Sequence, residues 1–359
     1  MKSIISFLFA FIVVFGLFTL FFSDDREITE EKEERETSSY IEEDNSKESE
    51  KETEKKDKKT VSQEKKEEEG LHLWLGVSDK EIVDLFGEPV RKDLSPYGYD
   101  WWIYNEEEYL QIAILDGEVV SLFTNDHKFE NGLFNVGDSY DEIDEVISFE
   151  TNVSLSGSFS SYQFELNDEE LNSRPLAKLD ENVWVQFYFD TTERKLSSVR
   201  YMSPEILLLQ RPYSIIYRGE LPEREEFTNS DWQKIQEGQS KQIFDMTNMI
   251  RKRHGLDPLE WDEETAFVAF LHSEDMYIND YFSHTSPTAG ELKDRLEAEY
   301  IHYQMAAENI AAKYVDAIAA VEGWLNSEGH RVNLLKEDFT HLGVGVYRDY
   351  YTQNFITPW

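Results

Sequence analysis

The chain contains no cysteine, and its acidic residues outnumber its basic residues by about two to one. Without cysteine, neither a disulfide framework nor a thiolate metal site is available, so any metal must be held by His, Asp or Glu. The formal net charge is −39, from 35 Lys and Arg against 74 Asp and Glu. Such a chain repels a phosphate backbone, which excludes a nucleic-acid partner and disfavours broad adhesion to anionic lipid head groups.

Several common catalytic motifs are also missing. The sequence has no His-Glu-x-x-His helix, no Gly-x-Ser-x-Gly elbow and no phosphate-binding loop. At 359 residues, with 40% hydrophobic and 14% aromatic content, the chain is nevertheless long enough for two globular domains. Any functional site must therefore be assembled by the fold from residues that lie apart in the sequence.

The N-terminus carries one long apolar run, residues 3–22, which contains no charge. A run of this length can cross a bilayer as a helix, and a cleaved signal peptide is the alternative. The small residues of a cleavage site are hard to find before Phe22, which favours an uncleaved anchor. Lys2 precedes the run and acids follow it, so we expect a single-pass cell-membrane protein with extracytoplasmic domains, or a secreted protein if residues 1–22 are cleaved.

Residues 23–69 consist mainly of Glu, Lys, Ser and Thr, with hardly an apolar residue. A segment of this composition cannot bury enough surface to offset its ordering entropy. It is interpreted as a charged, disordered linker that separates the anchor from the globular part.

The first globular region, residues 70–205, contains an internal repeat. Ser78 and Ser139 each follow a Gly-x pair and each has a Glu three residues later, the pattern of a helix with a capping box. Strand-like runs follow both helices, and Asp116-Gly117 is a strong hairpin signal. The sequence predicts an α+β domain made of two helix–antiparallel-sheet repeats. Its aromatic residues Tyr97, Tyr99, Trp101 and Trp102 are expected in the core and in cross-strand pairs, with an exposed binding face as the alternative. Residues 206–239 are interpreted as a connector.

The last region, residues 240–359, has the periodicity of several helices followed by two strands. A helix from Ser240 ends at Gly255, a second has Asp262 as its N-cap, and two more follow before the strands HLGVGVY and DYYTQNF. Helices on either side of a small antiparallel sheet are expected, which is an α-β-α sandwich.

Ordered motifs along this region carry a resemblance to a known family. They are GLDPLEWD, LHSEDM, YFSHTSP, ENIA, WLNSEGHRVNLL, HLGVGVY and YYTQNF. The region resembles the bacterial, cysteine-free branch of the CAP superfamily, named for cysteine-rich secretory, antigen-five and pathogenesis-related-one proteins and also called the SCP domain. The upstream stretch LFGEPVRKDLSPYGYDWWIYN resembles the CAP-associated N-terminal domain. Together they resemble an anchored, Bacillus-type CAP protein, which implies the CAP fold.

The resemblance implies a central cleft lined by two histidines and acidic residues, in which the histidines of some members bind a divalent metal. The family positions fall on His284 in SHTSP, Glu308 in ENIA and His330 in EGHR. The second acidic position is Ser327 here, so Glu328 is the candidate replacement. The candidate cleft residues are His284, Glu308, Asn309, Glu328 and His330, with His284 and His330 as metal ligands.

The chemistry of these residue types agrees with the resemblance. Two neutral imidazoles beside a carboxylate suit zinc or another divalent cation and leave coordination positions for water. Glu308 is the candidate general base, since a carboxylate beside bound water can accept its proton. The competing interpretation is that both histidines only hold loops over the cleft through backbone hydrogen bonds.

Three functions stay open, and the sequence does not decide whether the protein is an enzyme. The favoured one is non-catalytic binding of a small ligand or an envelope peptide in the cleft, with or without metal. The second is a metal-dependent peptidase that acts on cell-envelope peptides. The third is an interaction module in which the repeat domain recruits a cell-surface partner.

Overall fold

The computed structural model describes residues 70–106, 108–129, 133–157 and 160–359. The predicted apolar span, residues 3–22, and the predicted linker, residues 23–69, lie outside these described ranges. Within them, no helix has both the length and the apolar character needed to cross a membrane.

The N-terminal region alternates short helices with strands. Its helices are α1 (Asp79–Phe86), α2 (Tyr140–Ile147), α3 (Asp168–Ser173) and α4 (Pro204–Gln210). Its strands are β1 (Arg91–Leu94), β2 (Asp100–Tyr104), β3 (Leu110–Leu115), β4 (Glu118–Thr124), β5 (Asn152–Ser156), β6 (Ser161–Glu165), β7 (Leu176–Lys178), β8 (Trp184–Asp190), β9 (Lys195–Met202) and β10 (Ser214–Arg218).

The predicted repeat is present, and both copies use the same local hydrogen bonds. Ser78 and Ser139 each accept a hydrogen bond from the backbone N–H three residues on, and both capping boxes are complete. The backbone N–H of Gly76 donates to Val119 at 2.8 Å, and that of Gly137 donates to Leu196 at 2.8 Å. Each helix is therefore tied at its start to the final strand of its own repeat.

The two repeats share one sheet, because their final strands pair with each other. Seven strands follow the order β1-β2-β3-β4-β9-β8-β7, with β4 and β9 antiparallel, and β10, β6 and β5 form a separate small sheet. The predicted hairpin at Asp116-Gly117 joins β3 to β4, with φ of 52° and 83° at these two residues. Trp101 is 2% exposed, as the core interpretation of the aromatic run predicted.

The predicted connector, residues 206–239, contains more regular structure than the sequence suggested. It carries most of α4, all of β10 and the beginning of a long helix, α5 (Asn229–Arg253), which starts at Asn229 rather than at the predicted Ser240. The early start is capped by Thr228, whose side chain accepts a hydrogen bond from the backbone N–H of Asp231.

The C-terminal region is the predicted α-β-α sandwich. After α5 come the helices α6 (Glu263–Ile278), α7 (Leu292–Ala298), α8 (Ala317–Leu325) and α9 (Glu328–Leu334). Its strands are β11 (Glu260–Trp261), β12 (Tyr303–Ala312), β13 (His341–Tyr347) and β14 (Tyr350–Pro358), and they form a sheet in the order β11-β13-β14-β12. The predicted fold class is confirmed, although β12 was not foreseen as a strand.

Alternation along β13 creates the two layers of helices. Gly343 and Gly345 face α6 so closely that a Cβ at either position would overlap the helix backbone at Ala266 or Phe270. The residue between them, Val344, belongs to a core cluster with Ile243 of α5 and Trp324 of α8. Because side chains alternate along a strand, α6 covers one face of the sheet while α5 and α8 cover the other.

Buried polar contacts join the two regions within a single compact unit. Arg200 on β9 donates to Asp316, the N-cap of α8, at 2.5 Å, and both side chains are almost completely buried. Arg331 on α9 donates to Asp190 at the end of β8 at 2.7 Å. The N-terminal region therefore packs directly against α8 and α9, and α9 carries His330 of the candidate site.

Candidate functional site

Glu308 lies at the centre of a polar cluster on β12. One carboxylate oxygen accepts from His284 Nδ1 at 2.9 Å, and the other accepts from Arg295 Nη2 at 2.5 Å. His272 Nε2 lies 3.9 Å from the first oxygen. The glutamate is only 8% exposed, so its negative charge is compensated inside the protein rather than by solvent.

The loop that presents His284 is held by its own polar side chains. Asp275 on α6 accepts hydrogen bonds from Ser286 Oγ at 2.6 Å and Thr288 Oγ1 at 3.0 Å. Arg295 on α7 donates to the backbone carbonyl of His284 at 2.9 Å while also pairing with Glu308. These contacts hold the backbone of His284, yet the His284 side chain is 56% exposed.

His330 lies on α9, one residue after Gly329 and close to the start of the helix. Its Nδ1 lies 2.8 Å from Ser327 Oγ, and its backbone carbonyl accepts from Asn309 Nδ2 at 3.2 Å. Burial, and then the positive charge of His284, lower the pKa of His330 from its ordinary value of 6.5. The structure thus brings together two rings that are separated by more than forty residues in the sequence.

The two predicted ligand histidines share one arrangement. Each has its Nδ1 engaged, by Glu308 or by Ser327, and within the described ranges neither Nε2 has a hydrogen-bond partner. When Nδ1 carries the proton and donates it, Nε2 keeps the lone pair that binds a metal. In that tautomer, each of the two Nε2 atoms is a donor of the type that a divalent cation binds.

Two of the predicted cleft residues take no part in this arrangement. Glu328 is exposed in the first turn of α9, and the described residues contain no hydrogen bond or ion pair from it to either imidazole. Asn309 is completely buried and bonds to Gln353, Asn333 and the backbone carbonyl of His330. It therefore holds the backbone at His330 and does not line the cleft. The roles predicted for His284, His330 and Glu308 remain predictions.

Arg295 and His272 belong to the cluster but were not predicted. Arg295 is 6% exposed and neutralises Glu308, while burial lowers the pKa of His272, whose Nε2 lies 3.1 Å from the carbonyl of Ser283. The sequence places Arg295 in an amphipathic helix, where a charged residue normally faces solvent, so no local signal identifies it. His272 is 1% exposed on α6, so it belongs to the buried side of the cluster.

A second group of three side chains, here called the boundary trio, brings its possible ligand atoms closer together than the cleft residues do. Among the described residues, Asp190, Glu193 and His254 alone bring three His, Asp or Glu ligand atoms within 4.8 Å of one another, and His284, Glu308 and His330 do not. However, Arg331 already lies among them, 2.7 Å from Asp190 and 3.5 Å from His254 Nε2. A guanidinium in this position supplies the positive charge that a metal would bring.

Comparison with known proteins gives a family match for each region. Residues 75–213 match the family described as CAP-associated N-terminal, and residues 244–357 match the cysteine-rich secretory protein family, also called CAP. The uncharacterized membrane protein YlbC of Bacillus subtilis strain 168 is 48% identical over 292 residues, which cover 81% of this chain and 84% of that protein.

Solved structures show the same arrangement of both regions. An extracellular protein containing a SCP domain from Bacillus anthracis has 42% identity and a TM-score of 0.77, over 84% of this chain and 99% of that one. A cysteine-rich secretory protein from Staphylococcus aureus has 25% identity and a TM-score of 0.71, over 80% of this chain and 93% of that one. The resemblance predicted from the sequence motifs is confirmed.

Proposed function

Because this chain belongs to the CAP, or cysteine-rich secretory protein, family and carries the CAP-associated N-terminal domain, we propose that its cleft is a binding site built on two histidines. His284 and His330 would hold a divalent cation, zinc or a similar metal, through their Nε2 atoms. The cation, with its open coordination positions, would bind a small ligand or a peptide of the cell envelope.

The observation that carries this proposal is the engagement of both Nδ1 atoms. Metal-binding histidines commonly donate their other ring N–H to a carboxylate, carbonyl or water, which fixes the tautomer and the ring orientation. Here Glu308 accepts from His284 Nδ1 at 2.9 Å, and Ser327 Oγ lies 2.8 Å from His330 Nδ1. The lowered pKa of His330 keeps that ring neutral, and therefore able to bind metal, to lower pH than an ordinary histidine.

The same contacts favour binding over hydrolysis. A peptidase would need Glu308 to accept a proton from water, but both of its oxygens already accept hydrogen bonds, and Arg295 compensates its charge. Glu308 is therefore proposed as a positioning residue for His284 rather than as a general base. Incubating the protein with a peptide library, with and without chelator, tests this: cleavage that the chelator abolishes would favour the peptidase instead.

We also propose that the protein works outside the cytoplasm, tethered through residues 3–22. The apolar run supports this, as does the similarity to a membrane protein of Bacillus subtilis and to an extracellular protein of Bacillus anthracis. Protease treatment of intact cells, with an epitope tag after Trp359, is the test. Loss of the tag from intact cells is expected, and protection until lysis would contradict the proposal.

Isothermal titration of the full chain with zinc tests the cleft directly. One equivalent should bind, and both His284→Ala and His330→Ala should abolish stoichiometric binding without changing the unfolding temperature by more than a few degrees. His302→Ala is the matched control, because His302 is an exposed histidine outside the cluster. Unchanged zinc binding in the double variant would exclude the metal part of the proposal.

A further inference from the structure

A cavity lies where the N-terminal region, the α4–α5 segment and the C-terminal sheet meet. Its volume is about 630 Å³, and its walls include Tyr97, Arg224, Trp232, Lys313 and the β13–β14 turn. Pockets of roughly 300 to 1,000 Å³ commonly hold small organic ligands. This cavity contains none of the histidines of the cleft, so the proposed metal site does not account for it.

The charge of the cavity is opposite to that of the chain. Four basic side chains and two acidic ones line it: Arg211, Arg224, Lys313 and Arg348, with Glu225 and Asp349. Asp349 already pairs with Lys313 at 2.9 Å. Among the described residues, none of the three arginines has a carboxylate within 4.0 Å. In a protein with a net charge of −39, three arginines without a paired acid around one cavity mark a surplus of positive charge.

Two of these arginines are held in place by backbone carbonyls rather than by acids. Arg211 Nη2 donates to Pro222 O at 2.5 Å, and Arg224 Nη2 donates to Gln210 O at 2.9 Å. Carbonyl oxygens position a guanidinium but leave its net charge uncompensated. Both groups are therefore fixed at the cavity wall with their full charge available to an anion.

Arg348 differs from the other two in having a buried donor without a partner. It occupies the two-residue turn between β13 and β14 at φ 56°, a backbone conformation in which Asn or Gly is favoured and which Arg211 also adopts, at φ 53°. Its Nε is buried without a hydrogen-bond partner, and its guanidinium lies 4.2 Å from the centre of the Trp232 ring. An arginine in a strained turn, with an unpartnered buried N–H beside an aromatic face, indicates a binding role.

We propose that this cavity binds a small organic anion. A carboxylate or phosphate group of the ligand would accept hydrogen bonds from Arg348 and lie within the field of Arg211 and Arg224. A planar part of the ligand would pack against the aromatic wall that includes Trp232 and Tyr97. The site is distinct from the histidine cleft, and it does not depend on metal binding there.

Fluorine NMR of the full chain in detergent, labelled with 5-fluorotryptophan, tests the proposal. Eight tryptophans give eight signals, and Trp232→Phe identifies the one from the cavity. The probes are benzoate, phenyl phosphate and neutral benzamide at low ionic strength. We expect saturable movement of the Trp232 signal with at least one anion and none with benzamide, and the tighter-binding anion identifies the head group.

Matched variants assign the effect to the cavity. Arg348→Asn suits the positive φ and should weaken anion binding about tenfold, because a charge-assisted hydrogen bond is lost. Arg224→Gln should weaken binding as well, which keeps the test valid if the turn variant folds poorly. Arg218→Gln, which removes an exposed arginine outside the cavity, should leave the affinity within about twofold.

Three results would overturn the proposal. The first is no movement of the Trp232 signal with either anion up to about 10 mM, which is weaker than a specific small-molecule site. The second is equal movement with benzamide, which would indicate an apolar pocket rather than an anion site. The third is equal weakening by Arg218→Gln, which would show that the effect follows the net charge of the protein.

Discussion

The boundary between the two regions and the histidine cleft are built from the same residue types, but only the cleft opens to solvent. At the boundary, Arg200 and Asp316 have side chains that are 0% and 4% exposed. In the cleft, the side chains of Arg295 and Glu308 are 5% and 3% exposed, yet Glu308 also bonds to His284, whose side chain is 56% exposed. A buried ion pair alone is therefore weak evidence of a functional site. A buried ion pair that also bonds to a solvent-accessible side chain, as Glu308 does to His284, is stronger evidence.

The two places that could hold a metal differ in the same way. Asp190, Glu193 and His254 have the closer ligand atoms, but Arg331 already lies among them. In the cleft, the guanidinium of Arg295 pairs with Glu308 and not with an imidazole. The Nε2 atoms of His284 and His330 have no hydrogen-bond partner in the described ranges. The proposal for the cleft therefore rests on two imidazole nitrogens without hydrogen-bond partners, whereas at the boundary trio Arg331 already lies 3.5 Å from His254 Nε2.

The largest expected effect is at the boundary. Asp316→Asn leaves Arg200 buried without its counter-charge, and we expect a loss of about 3 to 5 kcal/mol in the free energy of unfolding. Urea unfolding of the full chain measures it. The control is Asp141→Asn at an exposed pair with Arg194, which should change stability by less than about 0.5 kcal/mol. Equal losses in both variants would mean that burial does not decide the value of these pairs.

A pH-dependent effect comes next, also at the boundary. Burial raises the pKa of Glu322 to about 7, against the hydrogen bonds from Ser198 and Ser197 and the charge of Arg253, while Asp190 adds to the rise. The pKa of Glu322 in the folded protein lies above its ordinary value of 4.5. The contribution of its protonated carboxyl to stability is therefore fully present below pH 4.5 and is lost as the pH rises through about 7.

Glu322→Gln imitates the protonated carboxyl at every pH. At pH 8 we expect the variant to unfold with a free energy about 2 to 3 kcal/mol higher than wild type. The difference should disappear well below pH 4.5, the ordinary pKa of the carboxyl, because wild-type Glu322 is then protonated in both the folded and the unfolded state. Urea unfolding at several pH values gives the comparison, and a variant that is less stable at pH 8 would contradict the assignment.

In the cleft, the expected effect is on affinity rather than on folding. Glu308→Gln removes the carboxylate that orients His284, and we expect zinc affinity to fall about tenfold to a hundredfold. Competition with a chelating dye measures it. Glu328→Gln is the matched control, because Glu328 is exposed and bonds to neither imidazole in the described residues. The zinc affinity of this variant should equal that of wild type. A loss with Glu328→Gln would restore it as the second acid of the cleft.

The smallest expected effect separates the two candidate metal sites. His254→Gln removes one ligand of the boundary trio but leaves Arg331 in place, so zinc stoichiometry and affinity should match wild type within about twofold. Calorimetry at one and several equivalents of zinc makes the measurement. Loss of a second, weaker binding event in the variant would identify the boundary trio as a metal site after all.

Local signals predicted much of the fold. Ser78 and Ser139 identified two helix starts because a capping box is complete within four residues, and Asp116-Gly117 identified a hairpin because the turn needs positive φ at both positions. The start of α5 was missed because its first half buries polar residues, such as Gln236, whose Oε1 accepts a hydrogen bond from the distant backbone N–H of Arg348. The burial of these polar residues depends on tertiary contacts, which the hydrophobic periodicity of the sequence does not predict.

The candidate site was predicted only through the family motifs. His284, Glu308 and His330 lie on a loop, a strand and a helix, so no spacing in the sequence joins them. Arg295 was missed because its burial follows from the position of Glu308 on β12, a strand that was itself not predicted. Glu328 was chosen for its carboxylate, but the start of α9 leaves it exposed while the preceding Ser327 lies beside His330.

Gly238 in α5 has a consequence for recombining domains between relatives. A Cβ at this position would lie 2.8 Å from Asp93 Cβ on β1, so the helix passes the N-terminal sheet too closely for any side chain. The same 25-residue helix, about 37 Å long, continues into the core of the C-terminal sandwich. A chimera joined in the middle of α5 would need both halves to agree in rotation as well as in length, so an exchange should carry the whole helix together with β1.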